Sequence, residues 1–457
     1  MSTSRRFFVG AATAASAMRV WGANERINLA IVGLGGRGSD HLTNYMRIEQ
    51  ARVMALCDVN QAARERAQAN LLKTTSEKGK EYEDMRAVFA DPAVDAVSIA
   101  TPNHWHALAS IWAMRAGKDV YCEKPASYNI HEGLRMLQVS RETRKILQIG
   151  SQHRSMPFKR KAMEAIHGGL IGKVYASKGL CYKRRVSIGR KPDLDQPPAG
   201  VNWDMFLGPA PLRKFNELRF KYNWHWFWDT GNGDFGNQGV HQVGVARWGM
   251  NDPEWPGEVY SHGGKFAYDD DQETPNTQDT FFKYGDRELT FEVRGLLTSG
   301  EGMRPMPRRR PGPQSPAPTE TAPVTATSAP LPALNVMVGN LFYGTEGWAA
   351  MNDEGFQAFK GEGHELVLDT RPERGAAGGD STGLHMRNFL EVCKSRKREN
   401  QNDEIGLAHV SAGLCHLANI SYRVGRKLTL KAGPDFVNDK EATAMLTRPV
   451  YRKGYEV

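Results

Sequence analysis

Ile27-Asn28-Leu29-Ala30-Ile31-Val32-Gly33-Leu34-Gly35-Gly36-Arg37-Gly38 is an alternating apolar run that closes on a glycine-rich turn. The run reads as a buried strand, and Gly33, Gly35 and Gly38 stand at G-x-G-x-x-G spacing. The first glycine permits a tight turn, the second lets a pyrophosphate approach the backbone, and the third lets the following helix pack on the strand. The N–H groups that open that helix then face the phosphates. Leu34, Gly36 and Arg37 complete this expected cradle. A glycine turn alone also ends ordinary strands of other α/β sheets. What raises this one is Arg52-Val53-Met54-Ala55-Leu56-Cys57-Asp58, a second apolar strand ending in a carboxylate 20 residues beyond Gly38. A dinucleotide fold places such an acid on the adenosine ribose. Asp58 would repel a 2′-phosphate, so the pattern predicts NAD rather than NADP.

A chain of 457 residues exceeds one ordinary domain, and two domains with appendages is the expectation. The formal net charge of +9 comes from short scattered clusters, Lys159 to Lys161, Lys183 to Arg185, Arg308 to Arg310 and Arg396 to Arg398. None is interleaved with aromatics, so they read as solvated surface and no nucleic-acid partner is expected. The five cysteines, Cys57, Cys122, Cys181, Cys393 and Cys415, show no C-x-x-C pairing and wide spacing. Neither a disulfide framework nor a metal site is indicated.

Ser4-Arg5-Arg6-Phe7-Phe8-Val9-Gly10 and the Ala-rich run to Met18 read as a twin-arginine signal over residues 1–23. The apolar part is too short to span a bilayer, and Ala15-Ser16-Ala17 offers a cleavage site. The expectation is a periplasmic or otherwise exported protein, free of the membrane after export. That route carries folded proteins, so a cofactor bound beforehand would travel inside. Further on, helices are expected over 39–50 and 61–73, and Ala96 to Ala100 as a short buried strand. That strand delivers the chain to Thr101-Pro102-Asn103-His104-Trp105-His106, and the strand Asp119 to Cys122 ends at Glu123-Lys124-Pro125. Strand ends of this kind lie on the sheet edge where open α/β sheets bind ligands.

The glycine turn, Cys57-Asp58-Val59-Asn60, Thr-Pro-Asn-His-x-His and Ala-Gly-Lys-x-Val-x-Cys-Glu-Lys-Pro follow one another in an order and spacing that resembles the Gfo/Idh/MocA oxidoreductases. The resemblance runs from about residue 27 to 430. It implies an α/β chain with an N-terminal Rossmann dinucleotide-binding domain, here 24–150, and a C-terminal α+β domain with a large open mixed β-sheet, here 151–430. The outer face of that sheet implies a homo-oligomer. Residues 431–457 are expected as a tail. The implied substrate is a small carbohydrate or cyclitol, with NAD as cofactor. Thr101, Pro102, Asn103, His106 and Glu123 then belong with the glycine turn and Asp58 to the cofactor site. Lys124 becomes the cation that polarises the substrate oxygen and also borders the cofactor, with Glu123 and Pro125 fixing its turn.

In the second half, Pro157 to His167 reads as a helix and Gly172 to Gly179 as the first strand of the sheet. Trp203, Phe206, Tyr222, Trp224, Trp226, Phe227 and Trp228 read first as packing, although aromatic faces also stack on sugar rings. Asn237 and His241 stand at i and i+4, on one face if a helix starts there. The family usually has Asp-x-Gly-x-His at this place, with the His as acid–base group and the Asp as its partner. Asn237 replaces the carboxylate; an amide can orient an imidazole or a substrate hydroxyl but cannot raise the His pKa by charge. His241 is therefore the expected base, and Asn237 and Lys183 are candidates for substrate hydroxyls. Nine prolines between Arg304 and Pro332 predict a mobile surface insertion over 304–332. Leu384 to Ser395 and Ala408 to Val424 read as helices, and Arg426 to Leu430 as a last strand. Two functions fit these residues: an NAD-dependent oxidoreductase acting on a sugar, sugar acid or cyclitol hydroxyl, and a redox-neutral glycosidase that oxidises, eliminates, hydrates and reduces with NAD unchanged.

Overall fold

The computed structural model describes residues 26–302, 334–372 and 380–457. The expected signal at 1–23 and the proline-rich insertion at 304–332 lie outside the described residues. The first half alternates β1 (Ile27–Val32), α1 (Gly36–Tyr45), β2 (Ala51–Cys57), α2 (Gln61–Thr75), β3 (Lys80–Tyr82) and α3 (Met85–Ala90). It continues with β4 (Ala96–Ile99), α4 (Asn103–Arg115), β5 (Asp119–Cys122), α5 (Ile130–Thr143) and β6 (Leu147–Ile149). The strands form one parallel sheet in the order β3-β2-β1-β4-β5-β6. Strand order reverses between β1 and β4, which opens a ligand crevice at their C-terminal ends. The first helix differs from the expected 39–50. It starts inside the glycine turn and ends at Tyr45, because Ile48 folds into the core and Gln50 O accepts from Ile27 N to start the next pairing.

The second half holds α6 (Pro157–His167), β7 (Val174–Cys181), α7 (Trp203–Leu207), α8 (Val240–Gly249), β8 (Glu258–Gly264), β9 (Thr277–Tyr284) and β10 (Arg287–Arg294). After the insertion come β11 (Val338–Gly344), β12 (Gly347–Met351), β13 (Phe356–Lys360) and β14 (Glu365–Thr370). These strands, with the short β15 (Leu428–Thr429), build a nine-stranded mixed sheet in the order β14-β13-β12-β11-β7-β10-β9-β8-β15. Only β7 and β10 pair in parallel within it. Ser177 Oγ of β7 donates to Ala246 O of α8, which marks the face that the helices cover. The sheet's own fold is that of the expected α+β domain.

Two late helices, α9 (Ser381–Ser395) and α10 (Ile405–Val424), stitch the halves together. Met386, Phe389 and Leu390 of α9 share one buried cluster with Ile27, Leu29 and Ile31 of β1, so this stretch completes the core on one side of the Rossmann sheet. The chain end also returns, through α11 (Lys440–Ala444) and beyond. Arg448 is buried against Glu132 at 3.3 Å and lies over the Tyr128 ring at 3.6 Å, while Tyr455 meets Trp105 edge-on at 5.6 Å. Within the expected tail 431–457, Leu446, Arg448, Tyr451 and Tyr455 thus pack against the first domain, while Asp439 pairs with Arg426 just past the end of α10.

Candidate active site

The glycine turn has the geometry its spacing requires. Gly33 adopts φ +87°, and a Cβ there would stand 2.8 Å from the Ala100 backbone at the end of β4. A Cβ on Gly38 would stand 1.8 Å from Gly33 O, so the helix sits directly on the turn. At Gly35 and Gly36 an added Cβ would meet nothing within 4 Å, and α1 begins there without a side-chain cap. Free N–H groups beside open space suit a pyrophosphate, and the residues present fit a dinucleotide. Asp58 does more than wait for a ribose. Its Oδ2 accepts from Leu34 N at 2.6 Å and its Oδ1 from Asn60 N at 2.8 Å, so it also ties β2 to the glycine turn. Burial raises the Asp58 pKa, and those two N–H groups oppose the shift.

Glu123 links the cradle to the reacting end. It accepts from Arg37 Nε at 2.7 Å and lies 3.0 Å from His41 Nε2, while Lys124 N donates to its other oxygen at 3.2 Å. Burial alone would raise its pKa, but Arg37 and His41 hold the carboxyl well below the usual range. Lys124 precedes a cis proline, and its Nζ donates to Asn237 O at 2.5 Å, with Asn237 Oδ1 at 3.4 Å. Burial lowers the Lys124 pKa to about 8; Glu123 pulls it up, and the cations Arg37 and Lys183 push it down. At neutral pH it is a proton donor poised close to its own titration.

The residues expected at the cofactor site after β4 divide in two. His106 is 1% exposed, with Nδ1 2.7 Å from Pro125 O and Nε2 2.8 Å from Thr101 O. Both nitrogens face backbone carbonyls, one of which receives the ring N–H, so the ring braces the turns after β4 and β5 instead of facing a ligand. Asn103 is equally buried and donates to Asn232 Oδ1 at 3.0 Å, joining the start of α4 to the glycine-rich stretch of the second half. Thr101 and Pro102 are partly exposed at the crevice.

The opposite wall is a π-helical turn, Phe235–Gly239, running directly into α8. The expected Asn237–His241 pairing does not form. The wider π turn carries the amide toward other partners: Asn237 Nδ2 donates to Tyr222 Oη at 2.9 Å and lies 3.4 Å from Asp234 Oδ1. Asp234 receives both arms of Arg185, at 2.6 and 2.9 Å, and Arg185 stacks over Trp226 at 5.1 Å. His241 is 7% exposed, and its Nδ1 is sealed without a hydrogen-bond partner. Burial, then the neighbouring His153 and Lys124, hold its pKa well below the ordinary value, so the imidazole is neutral with a lone pair open to a proton, and it is a weaker base than a free imidazole. Lys183, just past β7, is exposed, and its charge is felt at Lys124.

Sequence reading leaves Arg185, Asp234 and Tyr222 without roles. Each stands in a stretch that draws attention by itself, the basic cluster, the glycine-rich run and the aromatic region, but no spacing pairs Arg185 with Tyr222 and Asp234, 37 and 49 positions away. Of those aromatics, Trp203 and Phe206 stack at 4.8 Å in a buried cluster with Phe215, as packing. Tyr222 is 52% exposed beside Asn237.

Comparison with known proteins agrees with this architecture. Residues 27–151 match the Gfo/Idh/MocA profile described as an oxidoreductase family with an NAD-binding Rossmann fold, and residues 159–263 match the same family's C-terminal alpha/beta domain. The chain is 32% identical over 150 residues to the myo-inositol 2-dehydrogenase of Thermotoga maritima, which covers 32% of this chain and 42% of that protein. It is 28% identical over 125 residues to a glycosyl hydrolase family 109 protein of Shewanella sp., 26% of this chain and 27% of that one. The match therefore spans less than half the length of either relative. The WlbA dehydrogenase of Bordetella pertussis, solved in complex with NADH and UDP-GlcNAcA, shares the fold with TM-score 0.59 and 16% identity, covering 89% of this chain and 98% of that one. With a glycine cradle that fits a dinucleotide and both domains matched in order, the chain belongs to the NAD-binding Gfo/Idh/MocA oxidoreductase family.

Proposed function

We propose that the protein oxidises a hydroxyl of a sugar, sugar acid or cyclitol, with Lys124 and His241 as its acid–base pair. The observation that carries this reading is that Lys124, a buried lysine with pKa near 8, seats its Nζ on Asn237 O at 2.5 Å, on the same turn that runs into the helix carrying the buried, neutral imidazole of His241. Lys124 stabilises negative charge developing on the substrate oxygen, and His241 accepts the hydroxyl proton. Bound NAD supplies the hydride acceptor. Asn237, fixed by Lys124 and Tyr222, and the exposed cation Lys183 hold neighbouring hydroxyl or acidic groups. The inositol dehydrogenase relative supports this substrate class. A homo-oligomer through the open sheet face is supported by the exposed cross-strand pair Tyr260 and Phe281. The signal-like stretch at 1–23 supports export by the twin-arginine route with NAD already bound.

The second reading, a redox-neutral glycosidase, is supported by the family 109 relative and by the difficulty of recycling NADH after export. A panel of glycosides and free sugars in deuterated water separates the two. The oxidoreductase is expected to accumulate NADH, or to turn over only with a second carbonyl substrate, and to place no solvent deuterium on carbon in its first product. Aglycone release with carbon-bound deuterium and no net NADH would overturn it in favour of the glycosidase.

A further inference from the structure

Behind His241 stands a second imidazole that the reaction just described does not use. The 3-10 turn Gln152–Ser155 carries His153, whose ring centre lies 4.8 Å from that of His241 with the planes tilted by 35°. His153 is 8% exposed, and both rings border an internal cavity of about 10 Å³ that Ser151, Asp403 and Ser411 also line. That is room for a single water with polar groups around it. His241 Nδ1 is sealed without a hydrogen-bond partner, and a buried polar atom of that kind is one a water in such a cavity would satisfy. On its far side, His153 Nε2 lies 3.6 Å from Asp353 Oδ1, in the turn between β12 and β13, and the Asp353 side chain is 63% exposed. The series His241, cavity, His153, Asp353 therefore leads from the crevice wall to bulk solvent.

We propose that His153 is a proton relay that carries the substrate's hydroxyl proton from His241 to solvent by way of Asp353, a role that rests on the oxidoreductase reading. The substrate O–H bond breaks as a proton joins one nitrogen of His241, and a proton leaves the other nitrogen across the cavity water to His153. His153 in turn releases one to Asp353 or to solvent, and both rings return neutral with no change of oxidation state. Imidazole suits the task because its two nitrogens accept on one side and donate on the other.

The surrounding charges favour outward flow. His241 faces His153, Lys124, Glu123 and Arg37, and Lys124 repels an imidazolium held there. His153 faces Lys159 of α6, Asp353 and Lys124; burial first, then Lys159, holds it down at about 3, and Asp353 opposes them. Lys159 Nζ lies 2.7 Å from the same Asp353 oxygen. Asp403, the other acid on the cavity, lies 3.5 Å from Arg154 Nε.

Histidine C2-hydrogen exchange at neutral pH, followed by mass spectrometry on the full NAD-loaded chain, tests the path without any substrate, because its rate follows the small imidazolium population. Asp353→Asn is expected to slow exchange about tenfold at His153, one pKa unit, and about threefold at His241. In a His153→Asn background the same change is expected to leave His241 unaltered; His153→Gln serves if His153→Asn does not fold. No response of His241 to Asp353→Asn, or an equal response in both backgrounds, would overturn the relay. Such a failure leaves the outcome of the sugar panel untouched, and failure of the panel leaves this coupling measurable.

Discussion

The two walls of the crevice hold their functional groups by different means. On the nucleotide wall, Gly33, Gly35, Gly38 and Asp58 lie within one β-α-β unit, and the acid's hydrogen bond to Leu34 N closes the set on itself. On the substrate wall, Arg185, Tyr222, Asp234 and Asn237 come from three separate stretches, and Lys124 reaches them from the other domain. A local wall depends on backbone shape, whereas a distributed one depends on every ion pair and hydrogen bond between distant segments. Damage to the first should appear as lost cofactor, and damage to the second as lost turnover or stability with cofactor retained.

The sharpest division is expected at Lys124. Lys124→Ala and His241→Ala should each lower turnover by roughly 10² to 10⁴ while bound NAD, measured after denaturation and chromatography, stays near the wild-type amount. Equal activity would remove both assignments. Gly38→Ala should do the reverse. Its Cβ would strike Gly33 O at 1.8 Å, an overpacking worth about 2–3 kcal/mol, so NAD content and the unfolding midpoint should fall together.

Asp234→Asn breaks the distributed wall at its ion pair and leaves Arg185 without its carboxylate. We expect a loss of about 1–3 kcal/mol in denaturant unfolding, with NAD affinity unchanged; weakened NAD binding would mean that the two walls are energetically one. Asp58→Ala should relax the preference for NAD over NADP, read from the two dissociation constants.

The smallest effect concerns pH. Lys124 polarises only when protonated, so activity should fall as pH rises through about 8. Lys183 is one of the cations that depress this pKa, and Lys183→Gln removes it. The alkaline limb of the pH–rate profile should therefore move up, by a few tenths of a pH unit given the exposure of Lys183. A downward shift would contradict the proximity of the two lysines.

Legibility follows the same division. The glycine spacing, Asp58 and the strand ends before Thr101 and Glu123 are readable because each depends on neighbours in the chain and on the period of a buried strand. Asn237 and His241 stand out together in the sequence, but their separation in space does not, since a π turn adds a residue that side-chain periodicity does not announce. His106 reads as a pocket residue from its place in a motif. Its two carbonyl partners, Thr101 O and Pro125 O, exist only once β4 and β5 lie side by side.

The sequence alone determined a parallel dinucleotide sheet, and its resemblance to the family implied a second domain with a mixed sheet and marked the lysine and histidine proposed as the acid–base pair. The first depends on local backbone shape and hydrophobic period, the others on motif residues and their order. Tertiary structure alone decided that α9 and the chain end belong to the core and surface of the first domain, that Asp234 holds Arg185, and that His153 stands behind His241. Each of these joins segments tens to hundreds of residues apart, where burial and charge pairing follow from the packed arrangement and no spacing along the chain records them.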